Sequence, residues 1–333
     1  MSRHRLGFAV KVLGDGGLPS HDTRRWRSGP HLRVSLERLR AILDRLDDRD
    51  IRMYRMATAL APYASHPDLP QFHRQVDDCG QELADVGRLA VARGIRLSTH
   101  PGQYTVLNSA DPAVQAAAIA ELEVQAALLD AMCQPPEAVV VLHLGGSAGS
   151  PTAARDRFLE GFERLSDRAR ARLAVENDDR SFSLVDVLWV ARRCEVPVVW
   201  DVLHHRCLDP ARLADDEALR LALETWPPGV IPKIHYSSPR LDVAEQKRRD
   251  RRRVARRLVL PQLRAHADLI DPIGFENFLR FTSAGRDFDV MLEAKAKDLA
   301  LIRLREHLAD RGFRIEAGAI STAARERDLG EPR

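Results

Sequence analysis

The sequence predicts a (β/α)8 barrel. Three observations carry that expectation. Eight short apolar, β-branched runs alternate with longer amphipathic stretches. Several of the runs are apolar nearly throughout, as expected for parallel strands covered on both faces. No GxGxxG follows the first run, and GGLP at 16–19 does not substitute, so a doubly wound sheet is the weaker alternative.

In chain order, strands are expected at 6–13, 51–56, 95–99, 138–143, 173–177, 196–201, 231–235 and 288–293. Between them, 32–46 (LRVSLERLRAILDRL) repeats apolar residues at i, i+3, i+4 and i+7, the spacing of a helix with one buried face. Segments 114–132, 153–165, 184–194 and 211–223 read the same way. Two regions break the rhythm. Segment 237–287 is too long for an ordinary strand-to-helix loop and is expected to form an extra helix on the barrel rim, carrying a basic insertion after the seventh strand. Residues 1–311 then form a single barrel domain, and 312–333, Ala- and charge-rich without a clear period, a flexible tail.

Composition narrows the class. The 333 residues are 44% hydrophobic and 30% charged, enough for a sizeable core. Four cysteines without CxxC spacing argue against a disulfide framework or a zinc ribbon. No apolar run approaches the roughly 18 residues of a membrane span, and the N-terminus lacks a secretory pattern. The expectation is a reduced, cytoplasmic protein, a monomer, without a membrane partner. The net charge of +3 is uneven: 247–257 (KRRDRRRVARR) holds eight basic residues and one acid, a local +7, leaving −4 elsewhere. A mildly acidic body with one cationic strip differs from a uniformly basic coat.

The chemistry gathers at strand ends, where barrels of this kind place their active sites. In order these ends give His100 (STHPGQY), His143 (VLHLGG), Glu176 (VEND), Asp201 with His204 (WDVLHH), His235 (KIHYSS) and Glu293 (MLEAK). His66 (YASH) follows the second strand, and His266 (RAHAD) lies in the long insertion. A lone His at a strand end is more often a satisfied polar residue than a ligand; four of them interleaved with carboxylates invert that weighting. Imidazole and carboxylate without thiolate suit Zn, Mn or Fe. Nine candidates exceed the needs of one ion, and two or three adjacent metals are a standard device for in-line displacement at phosphorus.

Taken in order, HPGQYTVLNSADP, HLGG, ENDD, WDVLHH, KIHYSS, the HAD element and FDVMLEAKAKDLAL resemble the motifs of UV damage endonucleases. The resemblance runs from RLGFAV near the N-terminus to about Leu304. It implies a barrel similar to the endonuclease IV type, with a multinuclear centre of two or three divalent ions, usually Mn2+, with Mg2+ or Zn2+ as alternatives. It also implies an enzyme that nicks damaged double-stranded DNA 5′ to cyclobutane dimers and other photoproducts, leaves a 3′-hydroxyl and starts excision repair. By motif, His66, His100, His143, Glu176, Asp201, His204, His235, His266 and Glu293 resemble the metal ligands, with Glu176 and Glu293 also catalytic. Gln103 and Tyr104 resemble the pair that enters the duplex at the lesion; an aromatic that stacks beside an amide that hydrogen-bonds base edges suits that task.

Lys233 lies two residues before His235 on the same strand face and is a further catalytic candidate. An ammonium beside metal cations is unfavourable, so Lys233 is carboxylated, neutral or turned onto a DNA phosphate. In the strip, Lys247, Arg248, Arg249, Arg251, Arg252 and Arg253 are candidate phosphate contacts, weighed against the ordinary reading of a solvated face. His205 reads as a structural neighbour rather than a ligand. Two departures from the family pattern fall on the rim: RMATALAP after the second strand, and Val10-Lys11-Val12 at the end of the first. The alternatives are an abasic-site endonuclease, a xylose-isomerase-like sugar isomerase or epimerase, and a DNA-binding scaffold whose metals are structural.

Overall fold

The structure, a computed structural model, describes residues 2–250, 253–282 and 286–322. Each of the eight expected strands is present: β1 (Arg3–Ala9), β2 (Met53–Arg55), β3 (Arg96–Ser98), β4 (Val140–His143), β5 (Leu173–Glu176), β6 (Val198–Val199), β7 (Lys233–Tyr236) and β10 (Asp289–Leu292). Strands β7, β10, β1, β2 and β3 pair in parallel in that order, as do β4, β5 and β6. Parallel bridges Thr99–Val140 and Asp201–His235 join these two groups edge to edge. Every one of the eight parallel strands therefore has a neighbour on both sides, the arrangement of a (β/α)8 barrel.

The helices that follow the strands are α1 (Leu32–Asp48), α2 (Gln75–Asp78), α3 (Gly80–Ala92), α4 (Pro112–Ala131), α5 (Pro151–Glu163), α6 (Asp167–Arg172), α7 (Leu184–Cys194), α8 (Val202–Cys207) and α9 (Asp215–Glu224). Helix α1 shows why they form: Leu32, Leu36, Leu39, Ile42, Leu43 and Leu46 share its buried face. Burying each such side chain contributes about 1.5–3 kcal/mol before the cost of ordering it. Helix α7 starts at a reciprocal cap in which Ser183 and Asp186 each satisfy a backbone N–H of the other.

The sheet separates two apolar layers. Outward residues such as Phe8, Tyr54, Leu97, Val140, Leu142 and Val175 pack beneath the helices. Inward alternates form smaller clusters inside the barrel, including Val139, Val141, Ala174 and Val199, and Ala9, Met53 and Met291. Gly7 faces that interior, where a Cβ would stand only 2.7 Å from the Met53 side chain.

Segment 237–287 carries the expected extra helix, α10 (Pro272–Phe281), capped by Asp271. The basic stretch before it forms an antiparallel hairpin, β8 (Ala244–Asp250) with β9 (Arg253–Val259). Arg251 and Arg252 lie outside the described residues. At the other end the chain does not fray at 312. After α11 (Lys297–Asp310), strands β11 (Phe313–Glu316) and β12 (Ala319–Thr322) form a second hairpin, and β12 pairs antiparallel with residues 3–5 of β1. Ala317 and Gly318 both have positive φ, 48° and 70°, which suits the tight turn between them. Residues 323–333 lie outside the described residues.

Candidate metal centre

Side chains alternate faces along a strand, so the inward series on each strand ends at the C-terminal mouth of the barrel. On β4 the series is Val139, Val141, His143; on β5, Ala174 then Glu176; on β6, Val199 then Asp201; on β7, Lys233 then His235; on β10, Asp289, Met291, Glu293. Strand β3 contributes Arg96, Ser98 and His100. This period of two is the reason the sequence-predicted ligands meet.

Glu176, fully buried, is the hub. Its Oε1 lies 2.7 Å from His235 Nδ1 and 4.0 Å from His204 Nδ1. Its Oε2 lies 2.9 Å from His100 Nε2 and 3.7 Å from His143 Nε2. Glu293 Oε1 is 3.5 Å from His235 Nδ1, and its Oε2 is 3.5 Å from His266 Nδ1. Asp201 does two things: Oδ1 accepts the His204 backbone N–H at 2.7 Å, capping α8, while Oδ2 faces the His204 ring at 3.8 Å. Asn177 holds Asp201 in place, accepting from its N–H at 2.9 Å and donating to its C=O at 3.0 Å.

Three groups among the described residues could each hold an ion: His100, His143 and Glu176; His100, His235 and Glu293; Glu176, Asp201 and His204. In each group the ligand atoms lie within 4.8 Å of one another. Glu176 belongs to two groups and so does His100, as a cluster of adjacent ions requires. The donor set fits divalent cations on a second count: Asp201 Oδ2 and His235 Nε2 are buried without a hydrogen-bond partner, and Glu176 Oε2 has only imidazoles about it, that of His100 at 2.9 Å. Unpaired buried polar atoms are costly, and a divalent ion would satisfy them.

The electrostatics agree. Burial holds the pKa values of His100, His143 and His235 below the ordinary imidazole value, keeping them neutral with a free lone pair. Burial alone would raise the Glu176 carboxyl, but His235, His143 and His100 hold it well below the usual range. Glu293 behaves likewise, with Arg55 as the largest opposing charge. Burial pushes Asp201 up to about 6. For His204, burial is outweighed by Asp201, Glu176 and Glu293, which hold it up at about 9.

The remaining candidates fall in different places. His266 sits at the edge of the cluster, its Nδ1 also 2.8 Å from the Glu293 carbonyl. His66 is exposed, outside the three groups; its Nδ1 accepts the Asp68 N–H, and it lines a 590 Å³ cavity with Tyr104, Thr58 and Glu121. Gln103 is exposed, and Tyr104 is 84% exposed on the loop after His100. Lys233 is wholly buried with no hydrogen-bond partner for Nζ, and burial pulls its pKa well below the ordinary ammonium value. That burial disfavours the ammonium form. His205 is buried against Trp200, with Nε2 facing the Leu213 carbonyl at 3.2 Å.

Sequence reasoning missed Arg55, whose guanidinium pairs with Glu293. Its position two residues after the inward Met53 was the available signal. Missed as well was the backbone at Val10, which leaves β1 at φ 67°. Such a conformation costs a β-branched residue about 1–2 kcal/mol. The Tyr54 hydroxyl donates to its carbonyl at 2.7 Å and holds it there.

The family model described as UV-endonuclease UvdE matches residues 32–320. The chain belongs to the UV-endonuclease family. As a member it is an enzyme, an endonuclease. Within the family it is similar to the UV DNA damage endonuclease of Bacillus pumilus, 32% identical over 275 residues, covering 81% of this chain and 80% of that one. Among solved structures it resembles the crystal structure of SacUVDE, with a TM-score of 0.75, 29% identity, and coverage of 92% of this chain and 99% of that one. A more distant likeness is to the 3-keto-D-glucoside 4-epimerase of E. coli, 12% identical with a TM-score of 0.53, covering 92% and 98%. That likeness concerns the barrel alone, which family membership separates from sugar chemistry. No helix among the described residues is long and apolar enough to cross a membrane.

Proposed function

We propose that this endonuclease hydrolyses one phosphodiester of duplex DNA immediately 5′ to a UV photoproduct, leaving a 3′-hydroxyl, with two or three divalent ions held in the barrel mouth. Mn2+ is the first choice, with Mg2+ and Zn2+ as alternatives. The observation that carries this reading is the three overlapping groups of His, Glu and Asp in the barrel mouth, with unpartnered buried atoms on Asp201 and His235, together with an exposed Tyr104 on the loop after His100.

His100, His143, Glu176, Asp201, His204, His235 and Glu293 would hold the ions, with His266 and His66 completing the set towards the rim. Bound divalent ions supply Lewis acidity for the attacking water and for the oxygen that leaves. The protein's own groups do the rest. Glu176 and Glu293 place anionic oxygens where cations collect, and Asn177 and Arg55 fix their surroundings. Lys233, as a neutral amine or its carbamate, adds no cation to a site that already collects them. At the rim, Gln103 and Tyr104 occupy the space vacated by an extruded lesion, the amide satisfying base edges and the ring replacing a lost stacking partner.

The test is a nicking assay on defined duplexes after chelation. Chelated protein is expected to be inactive, and Mn2+ to restore cleavage 5′ to a thymine dimer more than at an abasic site. Cleavage that survives chelation, or that prefers the abasic site, overturns the proposal. Metal uptake should also be pH-dependent, because a ligand imidazole must be neutral. His204, held at about 9, carries a proton at pH 7 that the ion must displace. Apparent affinity for one ion is therefore expected to rise by about tenfold per pH unit from pH 7 and to level off above the His204 pKa.

Tyr104→Ala is expected to weaken discrimination between damaged and undamaged duplex by about 10-fold, since base–aromatic stacking is worth about 1–3 kcal/mol. Binding to undamaged duplex should change far less. Equal losses on both duplexes would contradict the probing role.

A further inference from the structure

Lys11 and Lys297 lie on loops that leave two neighbouring strands, β1 and β10, which pair in parallel. Asp298 clasps the two loops together: its buried carboxylate accepts the Leu13 N–H at 2.7 Å and the Gly14 N–H at 3.0 Å. Lys11 stands two residues before one end of that clasp, and Lys297 one residue before the other. Arg55 borders the same place from β2, the strand on the other side of β1. Its carbonyl accepts the Val10 N–H at 2.9 Å, and its guanidinium pairs with Glu293.

Neither the backbone nor the charge at Lys297 is comfortable. Its φ is 54°, a left-handed conformation that glycine or asparagine adopts at less cost, and Val10 across the clasp has φ 67°. Lys297 is half-buried, yet among the described residues neither its ammonium nor that of Lys11 has an ion-pair or hydrogen-bond partner. Burial lowers the Lys297 pKa, the Arg55 charge lowers it further, Glu293 opposes both, and Lys11 adds to the lowering. Three cations therefore gather about Glu293, while the Asp298 carboxylate is occupied by two backbone N–H groups. Strained backbone and an unanswered charge persist together where a ligand compensates them, and the ligand that answers two ammonium groups is an anion.

We propose that Lys11 and Lys297 form a subsite for one backbone phosphate of the nicked strand, next to the scissile phosphate and outside the metal centre. This rests on the endonuclease reading and names the residues that hold the strand in register over that centre. An ammonium is unfavourable at the scissile phosphate, where divalent cations collect; at the neighbouring phosphate the anion stands between the two sets of positive charge. Two ammonium groups suit the two unesterified oxygens of a phosphodiester, each through a charge-assisted hydrogen bond. The Asp298 clasp keeps the two loops together before DNA arrives. Contacts of this kind position a duplex without reading its bases, so the subsite serves damaged and undamaged strands alike.

The test measures binding of the full, metal-loaded chain to undamaged duplex across salt concentrations, with thermal melts alongside. Each phosphate contact contributes about 0.9 to the slope of log affinity against log salt. The double variant Lys11→Gln, Lys297→Gln is expected to lose about 1–2 from that slope and to bind about 10-fold more weakly at low salt. Lys11→Arg with Lys297→Arg should keep the wild-type slope. Lys297→Asn should melt no lower than wild type, because asparagine tolerates the left-handed backbone, and should still lose affinity. Position is read with a neutral methylphosphonate moved along the nicked strand of a dimer-containing duplex. At one position beside the scissile bond, wild type should need about 10-fold more protein for half-maximal single-turnover nicking, and the double variant should lose nothing further there. An unchanged slope in the double variant overturns the proposal. So does a methylphosphonate effect that is the same in both proteins at every position, or a Lys297→Asn protein that melts lower while keeping the wild-type slope. Wild-type nicking of irradiated duplex is scored separately: its absence defeats the endonuclease reading, while an unchanged slope defeats only the subsite.

Discussion

Glu176→Gln is expected to reduce nicking by at least about 10³-fold, a barrier increase of about 4 kcal/mol. The substitution changes almost no volume. Among the described residues, it removes the one carboxylate that stands within 4.0 Å of His100, His143, His204 and His235 together. An amide offers one neutral acceptor in place of two anionic oxygens, so two of the three candidate ion groups lose their shared ligand. A second consequence follows at His204. Glu176 is one of the three anions that keep its pKa at about 9, so the imidazole of the variant deprotonates more readily. Metal uptake should then release less proton at pH 7 even as it weakens. The rim is untouched, and duplex affinity should stay within about threefold. Single-turnover nicking of a dimer-containing duplex, together with metal content, checks this. Wild-type turnover in a variant that has kept its metals would remove Glu176 from the centre.

The eight strands and the residues at their ends were legible because both depend on local pattern. Apolar, β-branched runs mark buried parallel strands, and a period of two then dictates that His143, Glu176, His235 and Glu293 end inward-facing series. What escaped was set at long range or by register. The Arg55–Glu293 pair spans 238 positions; the strand period places Arg55 inward but does not name its partner. The basic stretch KRRDRRRVARR has neither a helical nor a strand period, so no element could be read from it. Its strands are identified only by their mutual ladder from Ala244–Val259 to Asp250–Arg253. The C-terminal hairpin is a different case. FRIE alternates in polarity and Ala317-Gly318 follows it, a readable turn signal that the Ala- and charge-rich composition concealed.

Asp289→Asn should destabilise the protein by about 3–5 kcal/mol, the range for removing one partner of a buried ion pair. Asp289 opens the inward series of β10, at the opposite end of the barrel from Glu293. Its Oδ2 receives Arg96 Nη1 at 2.7 Å and Arg5 Nη2 at 2.6 Å, and its Oδ1 receives Arg5 Nε at 2.9 Å. The Arg96 side chain is only 1% exposed and that of Asp289 2%. Arg96 also donates to the carbonyls of Glu137 at 2.9 and 2.7 Å and of Ile231 at 2.9 Å, so it cannot swing out to water without breaking the barrel floor. In the variant those bonds remain, but a guanidinium whose pKa burial already lowers loses its strongest counter-charge. Against a total stability of about 5–15 kcal/mol this is a large fraction, and a Tm fall of about 5–10 °C is expected. Nicking by the folded fraction at low temperature should be nearly normal, because Asp289 lies four residues, about 13 Å, along the strand from Glu293. Glu176→Gln is the complementary case: the same carboxylate-to-amide change, also buried, but among imidazoles of which His204 alone is held protonated at pH 7, so its Tm in chelator should fall less than that of Asp289→Asn. On the proposed function, the two ends of one barrel would thus divide their carboxylates between holding the strands together and holding cations. Thermal melts of both variants in chelator test that division, and equal melting temperatures for Asp289→Asn and wild type would contradict it.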